Sequence, residues 1–63
     1  MNDWLVITVD RKVHFIGSHN RCYIWIITNI DPELQDSYYI VPSSLAEKFG
    51  IDWICEKMIE FYL

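Results

Sequence analysis

The sequence has few of the residues that interrupt secondary structure and few that form covalent cross-links. Its 63 residues include only two glycines, two prolines and two cysteines. Glycine and proline at this level mark no linker or domain boundary, and two cysteines make no disulfide framework. A chain of this length forms one hydrophobic core. We therefore expect a single compact domain over residues 1–63.

Basic residues are also scarce, and this excludes a class of function. Five Lys and Arg stand against nine Asp and Glu, which gives a net charge of −4. Residues 1–30 have three basic and two acidic residues (+1), whereas residues 31–63 have two basic and seven acidic residues (−5). Direct binding to nucleic acid requires clustered Lys and Arg. The sequence therefore predicts no direct nucleic-acid partner.

Long hydrophobic runs are absent from the sequence. The longest runs from Tyr23 to Ile27, whereas a membrane helix needs roughly 18 apolar residues. The first residues lack the basic segment of a secretory signal, so we expect a cytoplasmic protein that does not associate with membranes. Cys22 and Cys55 are then expected to be reduced core residues.

Four segments have the β-branched and aromatic composition of strands. They are Trp4–Val9, Lys12–Ile16, Cys22–Thr28 and Tyr38–Val41. Polar turn residues separate them, including Asp10-Arg11 and the cluster that begins at Gly17. The order predicts an antiparallel four-stranded meander sheet.

The third of these segments is apolar on both faces of the predicted strand. Side chains alternate along a strand, so Cys22 faces one way, and the opposite face carries Tyr23, Trp25 and Ile27. An exposed apolar patch of this kind usually marks an interface. We therefore predict a homodimer, or contact with another protein, through Tyr23, Trp25 and Ile27.

Helical signals follow the fourth segment. Ser44 and Glu47 have the spacing of a capping box, Gly50 is placed to end a short helix, and Asp52 is placed to begin a longer one. The longer helix has an apolar face made of Ile51, Ile54, Cys55, Met58, Ile59, Phe61 and Tyr62. The predicted class is α+β, with one short and one longer C-terminal helix packed on one sheet face.

Trp53 is predicted to lie on the polar face of the longer helix, with Glu56, Lys57 and Glu60 around it and Asp52 beside it. A Trp within a polar rim is typical of an interface hot spot, which predicts an anchor for a protein partner. In the alternative interpretation the helix starts later, and Trp53 folds back over the first helix.

The acids provide a second candidate site. Asp31, Glu33 and Asp36 form an acidic loop that, with the helix acids, would make a negative surface. Such a surface suits a partner with a basic surface, for instance a nucleic-acid cleft. The alternative is that these acids only keep the protein soluble.

In size, charge and element order the chain resembles small phage-encoded inhibitors, including anti-CRISPR proteins and inhibitors of uracil-DNA glycosylase, some of which act as DNA mimics. The resemblance implies an inhibitor that binds the basic surface of a larger protein. The alternative function is a homo-oligomeric assembly module with no inhibitory role.

Catalytic and metal-binding patterns are weak. His14, His19 and Cys22 match the spacing of zinc ligands only in part, and no paired-carboxylate or phosphate-cradling glycine motif is present. A platform that stacks bases would need Lys or Arg beside its aromatic residues. The aromatic candidates for such a platform are Trp4, Tyr23, Trp25, Tyr38 and Tyr39. We predict no enzyme activity, no cofactor and no metal site.

Overall fold

The computed structural model of the protein describes residues 3–62, and their side chains as far as residue 60. The elements in chain order are β1 (Trp4–Ile7), β2 (Val13–Gly17), α1 (His19–Asn29), a 3₁₀ turn (Gln35–Ser37), β3 (Tyr39–Pro42), α2 (Ser43–Phe49) and α3 (Ile51–Tyr62). The predicted α+β class is confirmed. No helix within residues 3–62 is long and apolar enough to cross a membrane.

β1 is the central strand of a three-stranded sheet with the order β2-β1-β3. Both neighbours are antiparallel to it, and Val6 lies opposite Phe15 of β2 and Ile40 of β3. β2 and β3 therefore run parallel to each other on either side of β1. A connection between parallel strands needs a crossover, which is usually a helix. Here α1 forms that crossover.

The predicted strand over residues 22–28 is wrong, because these residues lie in α1. The Ser18 hydroxyl accepts a hydrogen bond from the Arg21 backbone N–H and caps the helix. Cys22 and Ile26, one helical turn apart, are buried against the sheet. The four-stranded meander is therefore also wrong. Packing of one helical face outweighs the strand propensity of the segment.

Helices cover both faces of the sheet, so the prediction of helices on one face is wrong. Successive side chains of β1 point to opposite faces, and each face has its own buried cluster. One cluster consists of Leu5, Ile7, Ile54 and Cys55, and the other of Val6, Cys22 and Ile26. The strand that is buried on both sides is therefore β1.

The C-terminal helices are close to their predicted positions. α2 begins after Pro42 without a side-chain cap, so the predicted capping box of Ser44 does not cap it. Gly50 ends α2 as predicted, and its positive φ of +86° favours glycine. Its ψ of 156° differs from that of the left-handed helical conformation. In α3, Ile54 and Cys55 are buried as predicted. The side chains of Phe61 and Tyr62 lie outside the described residues.

The turn of the β1–β2 hairpin contacts the start of α3. Arg11 has φ of +68° in this turn, and its guanidinium lies 2.7 Å from the Asp52 carboxylate. Thr8 donates a hydrogen bond to Asp10, which lowers the pKa of that carboxyl. Lys12 also pairs with Asp10, at 3.8 Å. Both basic residues of the turn therefore have acidic partners.

One part of the sheet has no helix over it. Ile16 lies opposite Leu5 in the register, and its side chain is nevertheless 59% exposed. α2 and α3 pack over β1 and β3, since Tyr39 and Val41 contact the Leu5 cluster. The β2 side of this face is left open.

Two isoleucines on neighbouring strands test this burial pattern. We expect Ile7→Ala to lower the free energy of unfolding by about 2–5 kcal/mol, because the side chain is fully buried. Ile16→Ala should change it by about 0.5 kcal/mol or less, because Ile16 is exposed. Urea denaturation followed by circular dichroism measures both. Equal losses would contradict the described packing.

Candidate interaction surfaces

Trp53 lies in the first turn of α3, with its ring stacked on Phe49 of α2. The ring centroids are 4.3 Å apart and the planes differ by 21°. Trp53 is half-buried and packs against the Leu5 cluster, and the Lys57 ammonium lies 5.8 Å from its centroid. Trp53 thus folds back over the preceding helix, although α3 starts earlier rather than later than predicted. Its role as a partner anchor stays a prediction.

The acids predicted to surround Trp53 are partly paired. Asp52 pairs with Arg11, and Glu60 pairs with Lys57 at 3.2 Å. Glu56 is exposed and has no ion pair within residues 3–62. Exposed pairs stabilise a fold by only about 0–1 kcal/mol, but each cation reduces the negative potential that a basic partner would meet. The surface beside Trp53 therefore has mixed charge.

The acidic loop lies in the connection from α1 to β3. Asp31, Glu33 and Asp36 are exposed there, and Leu34 between them is 53% exposed. The Leu34 backbone N–H donates to the Asp31 carbonyl at 2.8 Å, which holds the turn. None of the three acids takes part in an ion pair with another described residue. Negative charge is therefore least compensated in this loop.

The two groups of predicted partner-binding residues belong to different layers of the fold. Ile30 and Tyr38 flank the acidic loop. Both pack against the cluster of Val6, Cys22 and Ile26 on the α1 side of the sheet. Trp53 and the acids of α3 lie in the layer on the opposite face of the sheet. The structure therefore does not unite the loop and α3 in one contact surface.

α1 is apolar around most of its circumference. Cys22 and Ile26 face the sheet, whereas Tyr23 and Ile27 are 55% and 47% exposed. Arg21 is the only Lys, Arg, Asp or Glu in the helix. A helix that is hydrophobic all round is normally buried. The outer face of α1 is therefore a candidate contact surface.

The helix separates the three residues of the predicted oligomer interface. At about 100° per residue, Tyr23 and Ile27 share one flank of α1. Trp25 lies on the other flank, half-buried, and stacks on Phe15 with centroids 5.9 Å apart. The alternation of a strand would have placed all three on one face. Ile24, which is 48% exposed, extends the outer face instead of Trp25.

The candidate metal ligands make separate contacts. His14 Nε2 lies 3.0 Å from Thr8 Oγ1, and the His19 ring meets Trp4 edge-on at 4.8 Å between centroids. Cys22 is buried, and burial raises the pKa of its thiol, which favours the unreactive protonated form. Among the described residues, no three His, Cys, Asp or Glu side chains converge as a metal site.

A groove of about 260 Å³ lies between α1 and β2, and the sequence analysis did not predict it. Its lining residues are Phe15, Arg21, Ile24, Trp25, Thr28 and Asn29. The α1 residues meet there because positions three, four and seven apart share one side of a helix. This spacing could have predicted the groove, but the segment was interpreted as a strand.

The sequence matches no protein-family model, and comparisons with curated proteins and with solved structures give no significant match. The assignment of function therefore depends on the surfaces described above.

The contact between Phe49 and Trp53 can be measured directly. We expect Trp53→Ala to lower the free energy of unfolding by about 1–3 kcal/mol. In a double-mutant cycle with Phe49→Ala, the coupling should be about 0.5–1.5 kcal/mol, since the rings stack. Guanidinium denaturation of the four proteins gives this value.

A cycle of Trp53→Ala with Phe15→Ala is the matched control, because Phe15 packs on the α1 side of the sheet. Its coupling should be close to zero. A Phe49–Trp53 coupling as small as the control would show that Trp53 does not depend on α2, and it would favour the anchor interpretation.

Proposed function

We propose that the protein is a small protein-interaction module that forms a homodimer through the outer face of α1. The observation that carries this proposal is the apolar outer face itself, with Tyr23, Ile24 and Ile27 all close to half exposed. Covering apolar area is favourable by roughly 25 cal/mol per Å². A chain with so small a core gains stability from such an interface.

A second copy is the partner that this face fits best. Tyr23, Ile24 and Ile27 are uncharged, and Arg21 lies toward the other flank, in the groove beside β2. Two copies related by a two-fold axis would therefore bring neutral surfaces together without like-charge repulsion. The 11 residues of α1 give a helix of about 16 Å, which is long enough for a short antiparallel helix pair.

The size of the surface sets the expected strength of the dimer. Stable interfaces bury about 800 Å² per partner, and this is about one sixth of the 4716 Å² surface of the described chain. Three half-exposed side chains supply only part of that area. We therefore expect a dimer that dissociates on dilution.

Ile27→Glu tests the dimer, and Ile59→Glu is its matched control. Both residues are exposed isoleucines on helices, at 47% and 43%, but they lie in opposite layers. A buried charge would oppose association, so Ile27→Glu should be monomeric where the unmodified chain and Ile59→Glu are dimeric. Light scattering over a concentration series measures the mass.

Circular dichroism should show that both variants keep the native helix content. A monomer at every concentration of the unmodified chain would overturn the homodimer. So would a control that dissociates as readily as Ile27→Glu.

We propose as a second function that the protein inhibits a larger protein by binding its basic surface, such as a surface that binds nucleic acid. The acidic loop supports this proposal, because Asp31, Glu33 and Asp36 lack ion pairs within residues 3–62 and surround the exposed Leu34. An apolar residue within an acidic rim resembles the anatomy of an interface. Trp53 and the acids of α3 contribute less to this proposal, since several already have partners in the chain.

Charge reversal distinguishes the loop from the rest of the acidic surface. Glu33→Lys with Asp36→Lys should slow association with the basic partner by about tenfold or more. Glu47→Lys with Glu56→Lys makes the same change in net charge outside the loop and should retain most of the association rate. The measurement is surface plasmon resonance with partners captured from a cell extract.

A partner relevant to inhibition should also be displaced by duplex DNA. Equal binding by the two double variants would show that association depends on net charge alone and would contradict a role for the loop.

A further inference from the structure

We propose that the outer edge of β2, together with the groove beside α1, binds an extended segment of another protein as a fourth strand of the sheet. The order β2-β1-β3 leaves one edge of β2 without a neighbouring strand. An edge of this kind presents backbone N–H and C=O groups that can pair with an added chain. The groove lies on the flank of α1 away from Tyr23 and Ile27 and shares only Ile24 with the proposed dimer face.

β2 lacks most of the features that protect edge strands. Its sequence, Val-His-Phe-Ile-Gly, contains no proline and no Lys, Arg, Asp or Glu. The other edge strand, β3, ends in Pro42, which has no N–H to donate. The register of the β1–β2 pair shifts near the start of β2, between Val13 and Phe15, which pair with Ile7 and Val6. Regular pairing is therefore available from Phe15 to Gly17.

Apolar side chains flank this edge on both faces of the sheet. The aromatic wall of the groove, Phe15 with Trp25 stacked on it, lies on the α1 side. Ile16 and Val13, at 59% and 43% exposure, lie on the other side. Successive side chains of an added strand would point alternately to the groove and to Ile16. The segment that fits therefore has apolar or β-branched side chains at successive positions, one set for each face.

Arg21 indicates which charge the bound segment should carry beside the groove. Its Cβ lies 3.6 Å from the point that a Cβ on Gly17 would occupy, so Arg21 stands beside the Gly17 end of β2. It has no ion pair within residues 3–62, and it lines the groove. A carboxylate is the group that matches a free guanidinium. The geometry thus points to an acidic side chain in the bound segment.

The direction of pairing places that acid. Antiparallel pairing is the more stable arrangement, and it puts the N-terminal end of the added strand beside Gly17. The carboxylate that reaches Arg21 is then an Asp or Glu side chain at the start of the paired stretch, because the C-terminus of the segment lies toward Val13.

The β2 strand of a second copy fits this edge poorly. In an antiparallel pair of two β2 strands, the Gly17 end of one copy lies next to the Val13 end of the other. β2 contains no Asp or Glu, so the paired strand of a second copy would offer Arg21 no carboxylate. Charge complementarity therefore favours an acidic segment from a different protein.

Peptide titration followed by NMR tests this site. The probe is a capped peptide, Ser-Glu-Val-Thr-Val-Thr-Val-Ser, added to the ¹⁵N-labelled chain, and a peptide with Lys in place of Glu is its control. We expect amide shifts over residues 13–17 and along the groove side of α1. The Glu peptide should bind about fivefold more tightly than the Lys peptide.

Arg21→Glu should reverse the preference between the two peptides, whereas Lys48→Glu, the same charge change on α2, should leave it unchanged. If Arg21→Glu does not fold, Arg21→Gln should remove the preference. Titration of the Ile27→Glu variant should give the same shifts, so loss of the proposed dimer and loss of this site are distinguished.

Three results would overturn the proposal. One is the absence of shifts over residues 13–17 up to the solubility limit of the Glu peptide. Another is equal affinity for the two peptides. The third is a concentration-dependent shift of the β2 amides without peptide, which would show that a second copy occupies the edge.

Discussion

The fold depends on β1 being buried on both of its faces. Val6 and Ile7 are adjacent and fully buried, and each belongs to a different hydrophobic cluster. One cluster needs α1, and the other needs the C-terminal helices. A polar residue in the middle of this strand would therefore disrupt a cluster whichever face it occupied. Few positions remain for a conventional concave site, and the candidate contacts lie on outer faces and edges.

The sequence predicted the class, the hairpin and the C-terminal helices, since these depend on local signals such as turn residues and a glycine at the end of α2. It did not predict α1, because the residues around Trp25 favour strands in isolation. The requirement for a helix there is not local. It follows from the parallel directions of β2 and β3, which are known only once both strands are paired with β1.

The candidate surfaces also divide into those that local signals predict and those that depend on contacts between distant segments. The exposure of the acidic loop was predictable from composition. The packing of Trp53 over the first C-terminal helix was one of the two predictions for this residue. Its stacking on Phe49 was not predicted, since it depends on the angle between two helices. Tyr23 and Ile27 were identified as exposed apolar residues for the wrong reason. Residues four apart share a face both in a strand and on a helix, so Tyr23 and Ile27 fit either structure. Only Trp25, which lies on the other flank of the helix, distinguishes the two.

The position of β1 also constrains the order of folding. Trp4 pairs with Gly17 and with Pro42, and the second contact closes a much longer stretch of chain than the first. Loop-closure entropy favours the hairpin as the earlier contact. A hairpin alone would have both faces bare, and each face is covered by a different later segment. The two hydrophobic clusters are therefore coupled through one strand, which favours a single cooperative transition over stepwise assembly.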